Sequence, residues 1–129
     1  MKPSVPQPIV TAADFDRLVE LVETTGTAMP ELALYLQQEL DRAAIAADVD
    51  PTTVQMGSLV RFRDSASDTI RDIQLVYPPE SSLAEGRLSV LTPVGSALLG
   101  QPAGAVARYQ DAVGRTKTLA ILAVQPPTP

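Results

Sequence analysis

The chain has 129 residues, a length typical of one domain, with ten basic and fifteen acidic residues for a formal charge of −5. It contains no histidine, cysteine or tryptophan, which excludes a thiolate nucleophile, an imidazole base, a disulfide and the usual Cys/His zinc site. No apolar run approaches the roughly 18 to 20 residues of a membrane-spanning helix, and the first nine residues lack the apolar run of a secretory signal. The expected location is therefore cytoplasmic.

The two ends of the chain are rich in proline, and the segment between residue 11 and residue 50 has the apolar spacing of helices. Six of the twelve prolines lie near the ends, which predicts disordered tails over residues 1–10 and 126–129. Thr11 is the predicted N-cap of a first helix with apolar residues at helical spacing, and Gly26 is its predicted end. Pro30 then opens a second helix that we expect to continue to about residue 47. Residues 11–50 are predicted to form an antiparallel helical hairpin.

After residue 53 the apolar period changes from 3.6 to 2, and β-branched residues become common. Thr92 followed by Pro93 is the pattern of a helix start, and Gly100 is suited to the position after the helix end, which predicts a short helix over residues 93–99. The expected fold class is α+β, a helical hairpin followed by a small antiparallel sheet with one short helix. The predicted strands are residues 54–63, 69–77, 87–91, 106–110 and 115–124.

Charge divides along the same boundary. Residues 1–50 carry three basic and nine acidic residues, whereas residues 51–129 carry seven basic and six acidic ones. The net acidity therefore belongs to the hairpin, either as an electrostatic element for a partner or as a solvated helix face. The acidic balance disfavours generic duplex binding, because neutralising a row of phosphates requires clustered Lys and Arg, and direct sequence-specific binding to nucleic acid is not expected either.

Few residues of the chain are of types that act in catalysis or bind metal ions. Glu23 and Glu31 flank the predicted hairpin tip, where a pair of acids could hold a divalent cation, but two solvated acids at helix ends are the favoured interpretation. No catalytic residue, metal site or cofactor is predicted. Arg61 and Arg63 alternate with core residues of the first predicted strand, so we expect them on one exposed face, where Arg71 of the next strand could join them.

Four segments, in this order, resemble one known family. They are residues 39–43 (ELDRA), 60–63 (VRFR), 75–78 (LVYP) and 88–100 (LSVLTPVGSALLG). Together they resemble the regulators of nucleoside diphosphate kinase, which are relatives of the transcript-cleavage Gre factors. The resemblance covers approximately residues 11–125.

The resemblance implies an architecture and a partner. It implies a short coiled-coil arm over residues 11–50 and an FKBP-like domain of the Gre carboxyl-terminal type over residues 51–125. Gre-like proteins bind bacterial RNA polymerase at its secondary channel, so RNA polymerase is the implied partner. The arm is about half as long as that of a cleavage factor, and residues 24–30 of its predicted tip contain no acid, so stimulation of transcript cleavage is not expected. The implied polymerase-docking residues are Leu91, Thr92, Pro93, Val94 and Ser96.

Two other functions remain as alternatives. The chain could regulate a nucleotide-metabolising kinase by direct contact, and the sequence does not separate this from regulation through transcription. An FKBP-like prolyl isomerase is the less favoured alternative, because such an enzyme needs an aromatic-lined pocket and the chain has only two Phe and three Tyr. We therefore expect a regulator and not an enzyme.

Overall fold

The computed structural model describes residues 6–111 and 113–127. Parts of the two predicted tails, residues 1–5 and 128–129, lie outside the described residues. No helix of the described part is both long and apolar enough to cross a membrane. The helices are α1 (Ala12–Ala28), α2 (Pro30–Asp41) and α3 (Pro93–Leu98), and the strands are β1 (Ile9–Thr11), β2 (Ala44–Ala46), β3 (Leu59–Asp64), β4 (Thr69–Val76), β5 (Arg87–Ser89), β6 (Val106–Gln110) and β7 (Thr116–Gln125).

The first helix begins as its sequence predicts. The Thr11 hydroxyl accepts a hydrogen bond from the Asp14 amide at 3.2 Å, which satisfies one of the amides that a helix start leaves without a partner. Leu18 and Val22 are buried on the inner face of α1, as Leu36 and Leu40 are on α2. The two helices pack side by side as the predicted hairpin.

The prediction that Gly26 ends α1 is wrong. The helix continues through Gly26 to Ala28, and only Met29 separates it from α2. Met29 leaves the helical region (φ −138°, ψ 70°), while its amide still donates to the Thr25 carbonyl at 2.7 Å. The physical reason is Pro30, since the ring of a proline disfavours helical backbone in the residue before it.

The predicted boundaries at the base of the hairpin also differ from the structure. α2 ends at Asp41 and not near residue 47, and β2 follows. β2 pairs in parallel with β1, so Ile9 and Val10 lie in a strand and not in a disordered tail. Val10 is fully buried. The pairing joins segments about 35 residues apart, and such tertiary pairing overrides the local preference of the Ala-rich segment for helix.

The remaining strands form one five-stranded sheet in the order β5-β4-β3-β7-β6. Four strands pair antiparallel as predicted, but β5 pairs in parallel with β4, because residues 77–86 carry the chain back across the end of the sheet. β3 begins at Leu59 and not at residue 54. One face of the sheet forms the core with α3, and its largest fully buried side chains include Phe62, Leu75, Leu98 and Ile121.

Candidate docking surface

The first turn of α3 is held tightly by the loop that precedes it. The Thr92 hydroxyl accepts from the Gly95 amide at 3.0 Å and donates to the Ser89 carbonyl at 2.8 Å. A Cβ on Gly95 would lie 2.3 Å from that same carbonyl oxygen, so only glycine fits here. The predicted cap at Thr92 and the predicted helix of residues 93–99 are confirmed to within one residue.

The five predicted docking residues divide into two groups. Leu91 and Ser96 are buried, with 6% and 1% of their surface exposed. The Ser96 hydroxyl donates to the Val90 carbonyl at 2.7 Å, which fixes α3 to its preceding loop. Thr92, Pro93 and Val94 are half-buried and reach the surface. A partner can therefore contact the second group, while the first group holds the helix start in place.

A groove of about 340 Å³ lies beside this helix start. α2 contributes Tyr35 and Glu39, α3 contributes Pro93, and β6 contributes Tyr109. The Tyr35 hydroxyl donates to the Gln110 carbonyl at 3.3 Å, which joins the hairpin to the edge of the sheet. Sequence reasoning did not predict this groove, because Tyr35 and Glu39 of α2 meet Tyr109 of β6 only through the packing of elements that are distant in the chain.

Glu39 is the acidic residue of this groove. Burial raises the pKa of its carboxyl group above the ordinary value, and the nearby Arg42 guanidinium opposes that shift. Arg42 Nη2 lies 3.2 Å from Glu39 Oε2. The groove thus combines two aromatic rings with a partly desolvated ion pair at its margin.

The two predicted tip acids lie on the surface of the hairpin. Glu23 and Glu31 are both exposed, and the residue between the helices is Met29, with 50% of its surface exposed. Within residues 6–111 and 113–127, no group of three or more acidic side chains is placed to hold a metal ion. The structure provides no set of ligands around the two glutamates.

The predicted arginine face is confirmed for β3 but not for its neighbour. Arg61 is exposed, Val60 and Phe62 are buried, and Arg61 forms an exposed ion pair with Asp72 at 2.8 Å. Arg71 pairs in register with Phe62 and therefore lies on the opposite face from Arg61. Its guanidinium carbon is 5.9 Å from the centre of the Phe62 ring.

Comparisons with known proteins match both parts of this chain. Residues 6–45 match the family described as "Rnk N-terminus", and residues 49–126 match "Transcription elongation factor, GreA/GreB, C-term". The "Regulator of nucleoside diphosphate kinase" of Escherichia coli K12 is 36% identical over 103 residues, which are 78% of this chain and 76% of that protein. The chain belongs to this regulator family. Its carboxyl-terminal part is of the GreA/GreB type.

One solved structure and one further relative are of the Gre type. A "Prokaryotic transcription elongation factor GreA/GreB from Nitrosomonas europaea" matches with a TM-score of 0.71 at 32% identity, covering 92% of this chain and 98% of that chain. The "Transcription inhibitor protein Gfh1" of Thermus aquaticus is 32% identical over 82 residues, 62% of this chain and 52% of that protein. The names of these relatives are those of a regulator, an elongation factor and a transcription inhibitor, and not those of enzymes.

Proposed function

We propose that the protein is a regulator of transcription that binds bacterial RNA polymerase at its secondary channel, through the start of α3, without stimulating transcript cleavage. The related proteins named as transcription factors support the choice of partner. The observation that carries the proposal is the start of α3, where the half-buried Thr92, Pro93 and Val94 reach the surface and hydrogen bonds fix the backbone. The proposal includes an FKBP-like β domain, a short coiled-coil arm and a cytoplasmic location.

Docking at this position is physically reasonable because the helix start is already ordered. A preformed surface loses little conformational entropy when a partner binds. Two hydrogen bonds of Thr92 and one of Ser96 fix the backbone there. Pro93 itself makes the first turn stiffer, since its ring fixes φ. The adjacent groove with Tyr35 and Tyr109 offers aromatic contact area of the kind enriched in binding hot spots.

Regulation of nucleoside diphosphate kinase by this chain is the second part of the proposal. The Escherichia coli relative carries that role in its name. Regulation through transcription requires polymerase binding and no complex with the kinase. Direct regulation requires such a complex, so titrating the labelled chain with purified kinase and with purified polymerase in parallel separates the two. No enzymatic activity is proposed, and Phe62 and Tyr77, two of the three aromatic residues of the β domain, lie buried in the core.

The variant Pro93→Ala tests the docking surface. We expect the dissociation constant for purified RNA polymerase to rise about tenfold, the result of losing about 1.4 kcal/mol of binding free energy at a residue in the centre of the interface. Fluorescence anisotropy of the labelled chain measures this constant. The melting temperature should change little, because alanine is a good helix former at this position.

Pro79→Ala is the matched control, since Pro79 is an exposed proline at the start of a short 3-10 turn, Pro78–Glu80, on another part of the surface. Its affinity should equal that of the unaltered chain. Unchanged affinity in Pro93→Ala would remove α3 from the interface.

A further inference from the structure

Residues 6–11 connect the two parts of the molecule through backbone contacts. The Ile9 amide donates to the Gly100 carbonyl at 3.1 Å, and the Gln55 carboxamide donates to the Ile9 carbonyl at 2.7 Å. The Gln101 carboxamide donates to the Pro6 carbonyl, also at 2.7 Å. With Val10 fully buried, this segment is a packed element that crosses from the hairpin to the β domain.

Both helices of the hairpin end at this segment. β1 leads directly into α1, because Thr11 is the last residue of the strand and also the cap of the helix. α2 leads after two residues into β2, which pairs with β1, and the Ala44 amide donates to the Pro8 carbonyl at 2.8 Å. The position of β1 therefore sets the position of both helix ends.

The docking helix ends at the same place. Gly100 and Gln101 follow α3, and the Gln101 amide donates to the Leu98 carbonyl at 3.2 Å. A Cβ on Gly100 would lie 2.7 Å from the Ile9 nitrogen and 2.7 Å from the Pro8 Cβ, so β1 rests directly on the glycine backbone. A short chain of backbone contacts thus leads from the end of α3 to the start of α1.

A second contact fixes the hairpin away from this base. The Arg17 guanidinium of α1 lies 3.8 Å from the centre of the Tyr77 ring, just after β4. Two separated contacts between rigid elements limit rotation better than one contact does. The hairpin is therefore attached to the β domain at the β1 segment and at Tyr77, in addition to the Tyr35 bond to Gln110 and the packing of α2 on α3.

We infer that residues 6–11, held by Gly100 and Gln101, form a joint that fixes the direction of the helical hairpin relative to α3. Gln101 is a positioning residue in this joint. The role rests on the proposed function, because it determines where the hairpin points when α3 is docked on the polymerase. The joint itself is a property of the free chain and is measurable without any partner.

Gln101 is suited to a test that leaves the fold intact. It is fully buried, and its Oε1 has no hydrogen-bond partner among the described residues. Gln101→Met keeps a similar volume and removes both the bond to the Pro6 carbonyl and the unpaired oxygen. Removing an unsatisfied buried polar atom offsets the lost hydrogen bond, so we expect a melting temperature close to that of the unaltered chain.

Two spin labels report the hairpin direction. The chain has no cysteine, so Thr27→Cys near the tip and Ala66→Cys in the β3–β4 turn, both exposed, accept labels at those positions alone. Double electron–electron resonance should give one narrow distance distribution for the unaltered chain. In Gln101→Met we expect the distribution to be at least about twice as wide. Amide exchange at Ala44 should accelerate about tenfold, as expected for the loss of one hydrogen bond.

Gln125→Met is the matched control, since Gln125 is an exposed glutamine at the end of β7. It should change neither the distances nor the exchange at Ala44. If Gln101→Met destabilises the whole chain, Gln55→Met is the second variant, because it removes the bond to Ile9 from the other side of the segment. Unchanged distance distributions in Gln101→Met and Gln55→Met would overturn the proposal that residues 6–11 form a joint.

Measuring the affinity for RNA polymerase distinguishes failure of the joint from failure of the proposed function. If the hairpin direction matters for docking, Gln101→Met should weaken binding about tenfold and Gln125→Met should not. A wider distance distribution in Gln101→Met with an unchanged affinity for polymerase would overturn the positioning role. The docking surface would then still stand. Failure of the unaltered chain to bind polymerase would overturn the proposed function. The spin-label distances of the free chain would still show whether the joint fixes the hairpin direction.

Discussion

Tyr77 shows how burial and a nearby carboxylate affect a single side chain. Only 8% of its surface is exposed, and its hydroxyl has no hydrogen-bond partner of acceptable geometry within the described residues. Burial, followed by the nearby Asp14 carboxylate, raises the pKa of Tyr77 to about 12. Burial also raises the pKa of Asp14, although Arg17 opposes that shift. The two groups meet where α1 contacts the β domain.

Tyr77→Phe should alter the pH dependence of stability at alkaline pH. The unfolded chain loses the phenol proton near pH 10, whereas the folded chain keeps it until about pH 12. The folded state therefore binds more protons between these values, so its stability falls as pH rises through that window. The phenylalanine variant lacks this loss. Urea unfolding from pH 8 to 11.5 should give parallel curves below pH 10 and a growing advantage for the variant above it.

Tyr35→Phe is the control for this experiment, because the Tyr35 hydroxyl is exposed and bonded to the Gln110 carbonyl. Its stability should fall at alkaline pH as that of the unaltered chain does. Parallel curves for Tyr77→Phe over the whole range would contradict the burial of the Tyr77 hydroxyl.

At the scale of elements, two glycines give opposite predictions from the same substitution. Gly26 lies inside α1 with nothing within 4 Å of an added Cβ, and Gly114 has equal space but a φ of +83°. Gly26→Ala should raise the free energy of unfolding by about 0.5 to 1 kcal/mol, because alanine favours helical backbone. Gly114→Ala should lower it by a similar amount, since L side chains disfavour positive φ.

Urea unfolding measures both changes in the free energy of unfolding. The sign of each change shows whether the glycine lies in helical backbone or at positive φ. Had Gly26 been the residue after the helix end, as predicted from the sequence, its φ would be positive and alanine would destabilise the chain. A lower stability for Gly26→Ala would therefore contradict the continuous helix.

These elements also show what local sequence predicts and what it does not. The caps at Thr11 and Thr92 were predictable, because a cap depends on one side chain and an amide three residues away. The β1–β2 pair was not predictable, because residues 9–11 find their partner only when the hairpin has returned to its base. The same holds for the candidate site: Thr92 and Pro93 carry a local signal, while Tyr35 and Tyr109 join them only through packing.

The whole molecule combines a charged hairpin with a nearly neutral β domain. Twelve charged residues in residues 1–50 give a net −6, and thirteen in residues 51–129 give +1. α1 has 17 residues, so the hairpin reaches about 26 Å at 1.5 Å per residue. Its tip presents Met29, with Glu23 and Glu31 exposed on either side. Under the proposed function, such an arm enters the channel without bringing a cation site.

This combination predicts competition without cleavage. Purified GreA added to a stalled polymerase complex should release short 3′ RNA fragments, and an excess of the present chain should suppress that release by occupying the same docking site. The chain alone should release none. Pro93→Ala should suppress about tenfold less well at equal concentration, while Pro79→Ala should match the unaltered chain. Fragment release on a denaturing gel measures each reaction.

The tip acids decide how the arm acts in this competition. Glu23→Gln and Glu31→Gln should leave suppression unchanged, because neither carboxylate is placed with other ligands around a cation and the docking helix lies elsewhere. If the unaltered chain released 3′ fragments and either glutamine variant abolished that release, the acids would take part in catalysis with groups of the polymerase. The arm would then deliver ligands to the partner's metal, and its shorter reach would not prevent it.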